Sequence, residues 1–292
     1  MASLKDIKDK IQAVGKTKQI TKAMNMVAAS KLKSAQSKME DFRPYAEKFM
    51  EVLNSVALRV NPDMHPLLAV REPKKVRIIC MTSDRGLCGG FNSNVMRAVE
   101  GFIKYRSKEG QEVSLVAVGR KGRDHFRKKA NMIGQHTDVF KRFDISLADS
   151  IGRELISSFV DGEYDELHIA YNEFRNVAIQ RPKIDRLLPM KAIDSAEEEI
   201  PPERKLGYIY EPAEEILIEK FLPTYVRVMI FRALLETSAG ENGARMVAMD
   251  NATISCEEMI GDLSLKYNKA RQQAITAELM DIVGGTEALA KG

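Results

Sequence analysis

The sequence predicts an α/β head inserted between two long terminal helices that pair as an antiparallel coiled coil. Three observations predict it. Apolar residues near each end recur every three and four positions over many turns, and the middle of the chain alternates short β-branched runs with helical periods. Aromatic residues make up only 7%, with no Trp, whereas Met reaches 15, a balance that suits helix seams better than an aromatic-rich sandwich core. At 292 residues and 44% apolar, the chain can bury a real core as one large domain or two modest ones.

The N-terminal helix is read over residues 1–60. From Leu4 the apolar positions are Ile7, Ile11 and Val14, and they resume at Ala28, Leu32, Ala35, Met39, Phe42, Ala46, Phe49, Leu53, Val56 and Val60, a repeat of about 3.5 residues. Between these halves the register positions fall on Lys18, Thr21 and Asn25, while Ile20, Ala23, Met24 and Val27 form a displaced stripe. The seam therefore shifts sideways there. A helix from 4 to 58 is ~80 Å long at ~1.5 Å per residue, more than a compact domain buries, so it needs a partner of similar length. Pro44 is expected to kink it, and the stretch from Asn61 to Pro66 to end it.

The head is read over residues 74–195. Strand candidates are 76–81, 113–118 and 167–171, with helices near 93–107 and 146–160. Right-handed crossovers make such a sheet mostly parallel, a Rossmann-like doubly wound arrangement. The runs around 177–179 and 184–188 look like edge strands, and 195–204 looks like a solvated loop. The C-terminal helix is read over 208–286, through Leu217, Phe221, Val228, Phe231, Leu235, Met249, Ala252, Cys256, Met259 and Leu263, with Gly284-Gly285 as its stop. It outruns the first rod by several turns, and the overhang has nothing of its own chain to pack on. An exposed tip is a device for meeting another protein.

Charge and cysteine usage limit the function. The formal net charge of +4 is too small to declare a nucleic-acid binder, but residues 1–38 hold nine Lys against Asp6 and Asp9 alone. Cys80, Cys88 and Cys256 form no C-x-x-C and no disulfide framework, which favours a reducing compartment. The start lacks a signal-peptide core, and no run reaches the ~18 apolar residues needed to cross a bilayer, so a soluble cytoplasmic or peripheral protein is expected.

The sequence offers several chemical motifs, and none carries an activity. Gly15-Lys16-Thr17 ends like a phosphate loop, yet no strand precedes it and the position five before Gly15 is Lys10, within a Lys-rich helix. The run from Thr82 to Asn92 sits where doubly wound folds place ligands, but glycines 86, 89 and 90 do not space as G-x-G-x-x-G. No acidic ribose reader ends the second strand, so a tight structural turn is the preferred reading. His65, His125, His136 and His168 lack metal-ligand spacing, and no nucleophile motif stands out. Arg120-Lys121, Arg123, Arg127-Lys128-Lys129 and Lys141-Arg142 lack interleaved aromatics and read as solvated helix faces. From the residues alone the chain is an assembly protein. Two other classes stay open: a dinucleotide-binding enzyme with helical dimerisation arms, and a basic coiled-coil nucleic-acid adaptor.

Both rods then match something specific. Residues Ile7-Lys-Asp-Lys-Ile-Gln-Ala-Val14 and Thr17-Lys-Gln-Ile-Thr-Lys-Ala-Met-Asn-Met-Val-Ala-Ala-Ser-Lys31 closely resemble the gamma subunit family of F-type ATP synthases, bacterial type. So do Thr82-Ser-Asp-Arg-Gly-Leu-Cys-Gly-Gly-Phe-Asn92, Tyr208-Ile-Tyr-Glu-Pro212, Ala244-Arg-Met-Val-Ala-Met249, Tyr267-Asn-Lys-Ala-Arg-Gln272 and Ile275-Thr-Ala-Glu-Leu279. The resemblance covers essentially the whole chain in order.

The resemblance implies a central rotor shaft that is not itself catalytic. Its two terminal helices lie inside a ring of three alpha and three beta subunits, and its head joins the epsilon subunit and the membrane c-ring. It implies no cofactor, metal or nucleotide on this chain, MgATP and MgADP being held by the partner subunits, and no nucleic acid. By motif match Met24, Arg245, Arg271, Gln272, Thr276 and Glu278 are expected as contacts to the alpha/beta ring, and Tyr208, Tyr210 and Glu211 as contacts at the c-ring/epsilon end. Small residues such as Ala270, Ala274 and Ala277 are expected to keep the tip thin. The closely spaced cysteine pair of plastid members has no counterpart here. The expected location is peripheral, on the cytoplasmic face of the bacterial plasma (inner) membrane.

Overall fold

The computed structural model describes residues 4–57, 65–141, 143–190 and 214–290. In chain order the elements are α1 (Leu4–Ala57), β1 (Lys75–Met81), α2 (Phe91–Lys108), β2 (Glu112–Val118), α3 (Arg120–Phe126), β3 (Asn131–His136), α4 (Ile145–Val160), β4 (Glu166–Phe174), β5 (Gln180–Leu188) and α5 (Glu214–Ala290). They form two compact units. The larger comprises 29–245 and the smaller 1–28 with 246–292.

The larger unit is built on a five-stranded sheet in the order β3-β2-β1-β4-β5. The first four strands run parallel and β5 pairs antiparallel with β4 at the edge. Alternation along each strand separates two cores. Ile79, Met81, Val116, Val118, Leu167, Ile169 and Tyr171 face one side, packed by Ile151, Leu155 and Phe159 of α4 and by long-helix residues including Leu53, Val56, Leu222, Val226, Ile230 and Leu234. On the other side Val76, Ile78, Cys80, Leu115, Ala117 and Ala170 meet Val95 and Val99 of α2 and Phe126 of α3. Residues 29–57 of α1 and 214–245 of α5 thus belong with the sheet, because their apolar faces complete its first core. Within this unit α1 and α5 run antiparallel: Phe42 meets Phe231 edge-on at 4.9 Å and Phe49 meets Phe221 at 5.8 Å.

The smaller unit is a two-helix coil. Ile7 and Ala28 are buried and Ile11 and Val14 half-buried along α1, with Met249 buried on α5. Met259, read from sequence as a seam residue, is instead 52% exposed.

The other departures have local causes. Strands β1, β2 and β4 are buried on both faces and so read as nearly continuous apolar runs, whereas β3 (Asn-Met-Ile-Gly-Gln-His) has no fully buried residue, and neither it nor the short α3 is predicted from the sequence. The run 177–179, read as an edge strand, is a turn: the Asn176 side chain accepts from the N–H groups of Ala178 and Ile179, drawing the chain into a local loop. Pro44 and Pro223 lie inside continuous helices. Each lacks one donor, yet neither ends its helix, and Phe42 and Ala46, and Leu222 and Val226, pack beside them. α5 also continues through Gly284-Gly285 to Ala290, since each glycine costs only about 1 kcal/mol and no proline follows.

Candidate functional site

In the smaller unit the coil is polar inside and apolar outside over one stretch. Thr21, 8% exposed, sets its hydroxyl 2.7 Å from that of Thr253. One turn along, Asn25 Nδ2 donates to the Met246 carbonyl at 3.0 Å, and Lys18 Nζ pairs with Glu257 at 2.9 Å. The hydrogen bond from Lys18 holds the Glu257 carboxyl below the usual range. Ile20 and Val27 meanwhile stand outward at 59% and 56% exposure, and Met24 is half-buried beside the polar seam. The register positions Lys18, Thr21 and Asn25 picked out of the sequence are therefore the residues that cross the seam.

The same register locates the overhang. Fourteen residues before Lys18 is Leu4, the first described residue of α1, and fourteen after Glu257 is Arg271. Beyond that point α5 runs on for about 30 Å at ~1.5 Å per residue. Arg271, Gln272, Thr276 and Glu278 all lie on this stretch and are exposed, with Ile275, Leu279, Met280, Ile282 and Val283 also open to solvent. Thr276 returns its hydroxyl to the Gln272 carbonyl at 2.9 Å. Ala270 and Ala274 are half-buried and Ala277 is exposed.

In the larger unit the strand order reverses between β1 and β4, and the turn after β1 is tied to the segments that follow β2 and β3. Ser83 N–H and hydroxyl donate to Asn92 Oδ1 at 2.9 and 3.1 Å. The Asp84 carboxylate accepts from the backbone N–H of Arg120 and of Asp138, both at 2.9 Å, and from that of Phe140 at 3.4 Å. Asp84 thus ties the turn after β1 to the segments after β2 and β3. The turn packs directly onto β2: a Cβ on Gly119, whose φ is +96°, would lie 2.0 Å from the Thr82 carbonyl oxygen. Sequence reading missed Asp84, because its partners are brought from 36 to 56 residues away by the fold.

Arg245 closes this region from α5. Its Nη2 donates to Glu241 at 2.7 Å and to the Gly86 carbonyl at 3.1 Å, with side chains only 12% and 8% exposed. Burial pushes the Glu241 carboxyl up against the pull of Arg245. The guanidinium of Arg245, a residue the resemblance places against the alpha/beta ring, is engaged within its own unit. Cys88 is buried in the same turn and Cys80 on β1, both as free thiols, and burial raises both, Cys80 to about 12.

Against this geometry, a family model described as ATP synthase matches residues 3–289. The ATP synthase gamma chain of Syntrophus aciditrophicus is 60% identical over 292 residues, covering 100% of both chains, and that of Desulfosudis oleivorans is 49% identical over 99% of each. The chain belongs to the ATP synthase gamma-chain family. Among solved structures, the Tetrahymena thermophila mitochondrial ATP synthase central stalk and c-ring complex contains a chain 27% identical with a TM-score of 0.60, covering 80% of this chain and 99% of that one. A chain of the Euglena gracilis mitochondrial enzyme, 20% identical with a TM-score of 0.68 over 98% and 94%, has the same fold.

For a gamma chain, the expected ring contacts divide by structure. Arg271, Gln272, Thr276 and Glu278 share one exposed helical stretch, Met24 lies on the coil, and Arg245 is tied into the head. Tyr208, Tyr210 and Glu211 lie outside the described residues. No described helix is long and apolar enough to cross a membrane. Among the described residues no His, Cys, Asp and Glu group is arranged to hold a metal ion.

Proposed function

We propose that this chain is the central rotor shaft of a bacterial F-type ATP synthase, carrying torque between an ion-driven membrane c-ring and the catalytic beta subunits of an alpha3-beta3 ring. The observation that carries this reading is the C-terminal stretch of α5 beyond α1, mostly exposed between Arg271 and Thr286, with both apolar and charged residues. A lone helix of that kind in water has no folding reason to present Ile275, Leu279 and Ile282, and burial inside a ring of partner subunits supplies one. Below it two helices are tied by side chains across a seam, and a paired coil resists bending and twisting where a single helix yields.

The chain would not be catalytic. It would bias three otherwise equivalent sites because one side of the coil presents Ile20 and Val27 while another presents charge, so each beta subunit meets a different surface as the shaft turns. Arg271 would offer a forked donor to a carboxylate of the ring, with Gln272, Thr276 and Glu278 beside it. The head and the 208–211 region would face epsilon and the c-ring. No nucleotide or other cofactor is assigned to this chain. Nucleotide would be held by the partners. The bacterial relatives support a peripheral position on the cytoplasmic face of the inner membrane.

The test is to mix the purified chain with alpha- and beta-type subunits of the same source, then measure complex mass and MgATP hydrolysis. One copy per hexamer, together with hydrolysis that depends on the chain while the chain alone binds no nucleotide, is the expected result. Nucleotide binding by the isolated chain without complex formation would overturn it.

A further inference from the structure

The stretch of coil around Thr21 is inverted relative to the rest of the seam. Elsewhere apolar residues such as Ile7, Ala28, Leu32 and Ala35 turn inward, but here Thr21, Asn25 and Lys18 cross to α5 while Ile20, Met26 and Val27 are exposed, as is Ile254 on the partner helix. The hydrophobic effect alone favours another arrangement. Rotating this stretch of α1 alone about its axis by roughly one residue's 100° would turn Ile20, Ala23 and Val27 toward α5 in place of Lys18, Thr21 and Asn25. What opposes that rotation is polar pairing. In the observed seam the largely buried Thr21 hydroxyl has Thr253 Oγ1 at 2.7 Å, and Asn25 Nδ2 reaches the Met246 carbonyl at 3.0 Å. Rotation or a slip of one turn separates both pairs and leaves their groups without these partners. Polar residues at seam positions are a known means of fixing register at a cost in stability.

We propose that Thr21, Asn25 and Thr253 are positioning residues of the shaft: their hydrogen bonds hold α1 in the one rotation and register that keeps Ile20 and Val27 turned outward. This rests on the rotor reading, because an outward apolar stripe on one side of the coil matters when a surrounding ring must meet different surfaces in turn. Lys18 and Glu257 add an exposed ion pair that matches the same register but contributes little energy. The hydroxyl pair and the amide, both partly buried, carry the selection. The Thr21 hydroxyl is also 3.0 Å from the Lys18 carbonyl, and that of Thr253 is 2.8 Å from the Met249 carbonyl. With one proton per hydroxyl, one threonine donates across the seam while the other, accepting that bond, donates back to its own helix, which restricts the side-chain rotation available to either.

The test uses the full chain with Cys256→Ser to remove the accessible thiol, and spin labels on Lys8→Cys and Glu258→Cys, both exposed sites in the coil. Their offset along the axis makes a one-turn slip a change of about 5 Å in label separation. The parent should give one narrow distance distribution. Thr21→Val with Thr253→Val keeps the shape and removes the hydroxyls; it should broaden the distribution or add a second population. Thr21→Ser with Thr253→Ser, which keeps the hydroxyls, should restore the parent pattern. The same variants without labels, assembled with alpha, beta and membrane subunits, should keep ATP hydrolysis within twofold while the valine pair loses several-fold in ions pumped per ATP. A valine pair with one narrow distance, or with parental pumping per ATP, would overturn the proposal. Failure of the parent chain to assemble or to support hydrolysis would instead overturn the rotor reading, with the distance result still deciding the register of the coil.

Discussion

Arg245 Nη2 lies 2.7 Å from Glu241 Oε1, an ion pair one helical turn apart whose two side chains are both nearly withdrawn from water. The same nitrogen reaches the Gly86 carbonyl, so one guanidinium fastens α5 to the turn after β1. Removing it leaves a buried carboxylate without its cation. Arg245→Ala is therefore expected to destabilise the larger unit by about 3 kcal/mol in urea unfolding at neutral pH. Adding Glu241→Gln should recover part of that loss, because the amide needs no counter-charge. A single variant as stable as the parent would show that the pair contributes nothing.

The Thr82–Gly119 contact gives the second prediction. A Cβ at Gly119 would approach the Thr82 carbonyl carbon to 2.7 Å and its oxygen to 2.0 Å, and φ of +96° is a region that L side chains rarely adopt. Both features penalise any other residue. Gly119→Ala should cost at least ~2 kcal/mol and lower the urea midpoint with an unchanged slope. Gly110→Ala, where φ is +78° but nothing lies within 4 Å, should cost less. Equal losses at the two positions would mean that backbone strain alone matters and the close approach does not.

Sequence pattern and tertiary structure divide the account between them. The long helices were legible because Leu32, Ala35, Leu53 and Val56 keep one face over many turns, and β1 and β2 because burial on both faces makes them continuously apolar. The polar interruption at Lys18, Thr21 and Asn25 was also visible as a break in that period. Its meaning was not, since Thr253 and Met246 lie more than 200 positions away and no local rule pairs them. Glu241 was hidden for a related reason. Gly240 and Gly243 around it weaken a helix read from propensity, yet a Cβ at Gly240 would come within 2.8 Å of Phe91, so the small residues serve close packing against the head. The contacts expected on the overhang rest on family resemblance alone, because an exposed helix carries no packing signature of its partner.

The histidine on β4 sets a pH dependence. His168 Nε2 lies 2.9 Å from Glu166 Oε2 and 3.3 Å from Arg106 Nη2, and a neutral ring nitrogen can donate to the first or accept from the second, not both. Burial lowers the His168 pKa, against the pull of Glu166, with the charges of Arg106 and Arg186 adding to the depression. The folded state thus binds its proton less readily than the unfolded chain, whose imidazole titrates near ~6.5. Stability is retained above that value and lost as pH falls below it toward the folded pKa, where the unfolded chain takes up the proton first. Chemical unfolding measured from pH 7.5 to 5 should show this decline, and His168→Gln should flatten it. An unchanged slope in the variant would assign the decline to other groups.

Arg271 separates folding from function most cleanly. It sits level with the first described turn of α1 and is exposed, so Arg271→Ala should move the stability of the isolated chain by no more than about 0.5 kcal/mol. In the assembled complex, on the rotor reading, the same change would remove a planar, five-donor group from a helix facing the ring, and Lys in its place restores charge without the fork. If Arg271 meets a ring carboxylate through two parallel bonds, ATP hydrolysis by the complex should fall several-fold in the alanine variant and recover only in part with Arg271→Lys. Full recovery with lysine would mean that charge alone suffices there. Normal turnover in the alanine variant would remove Arg271 from the contact set and move attention to Gln272 and Glu278 on the same exposed stretch.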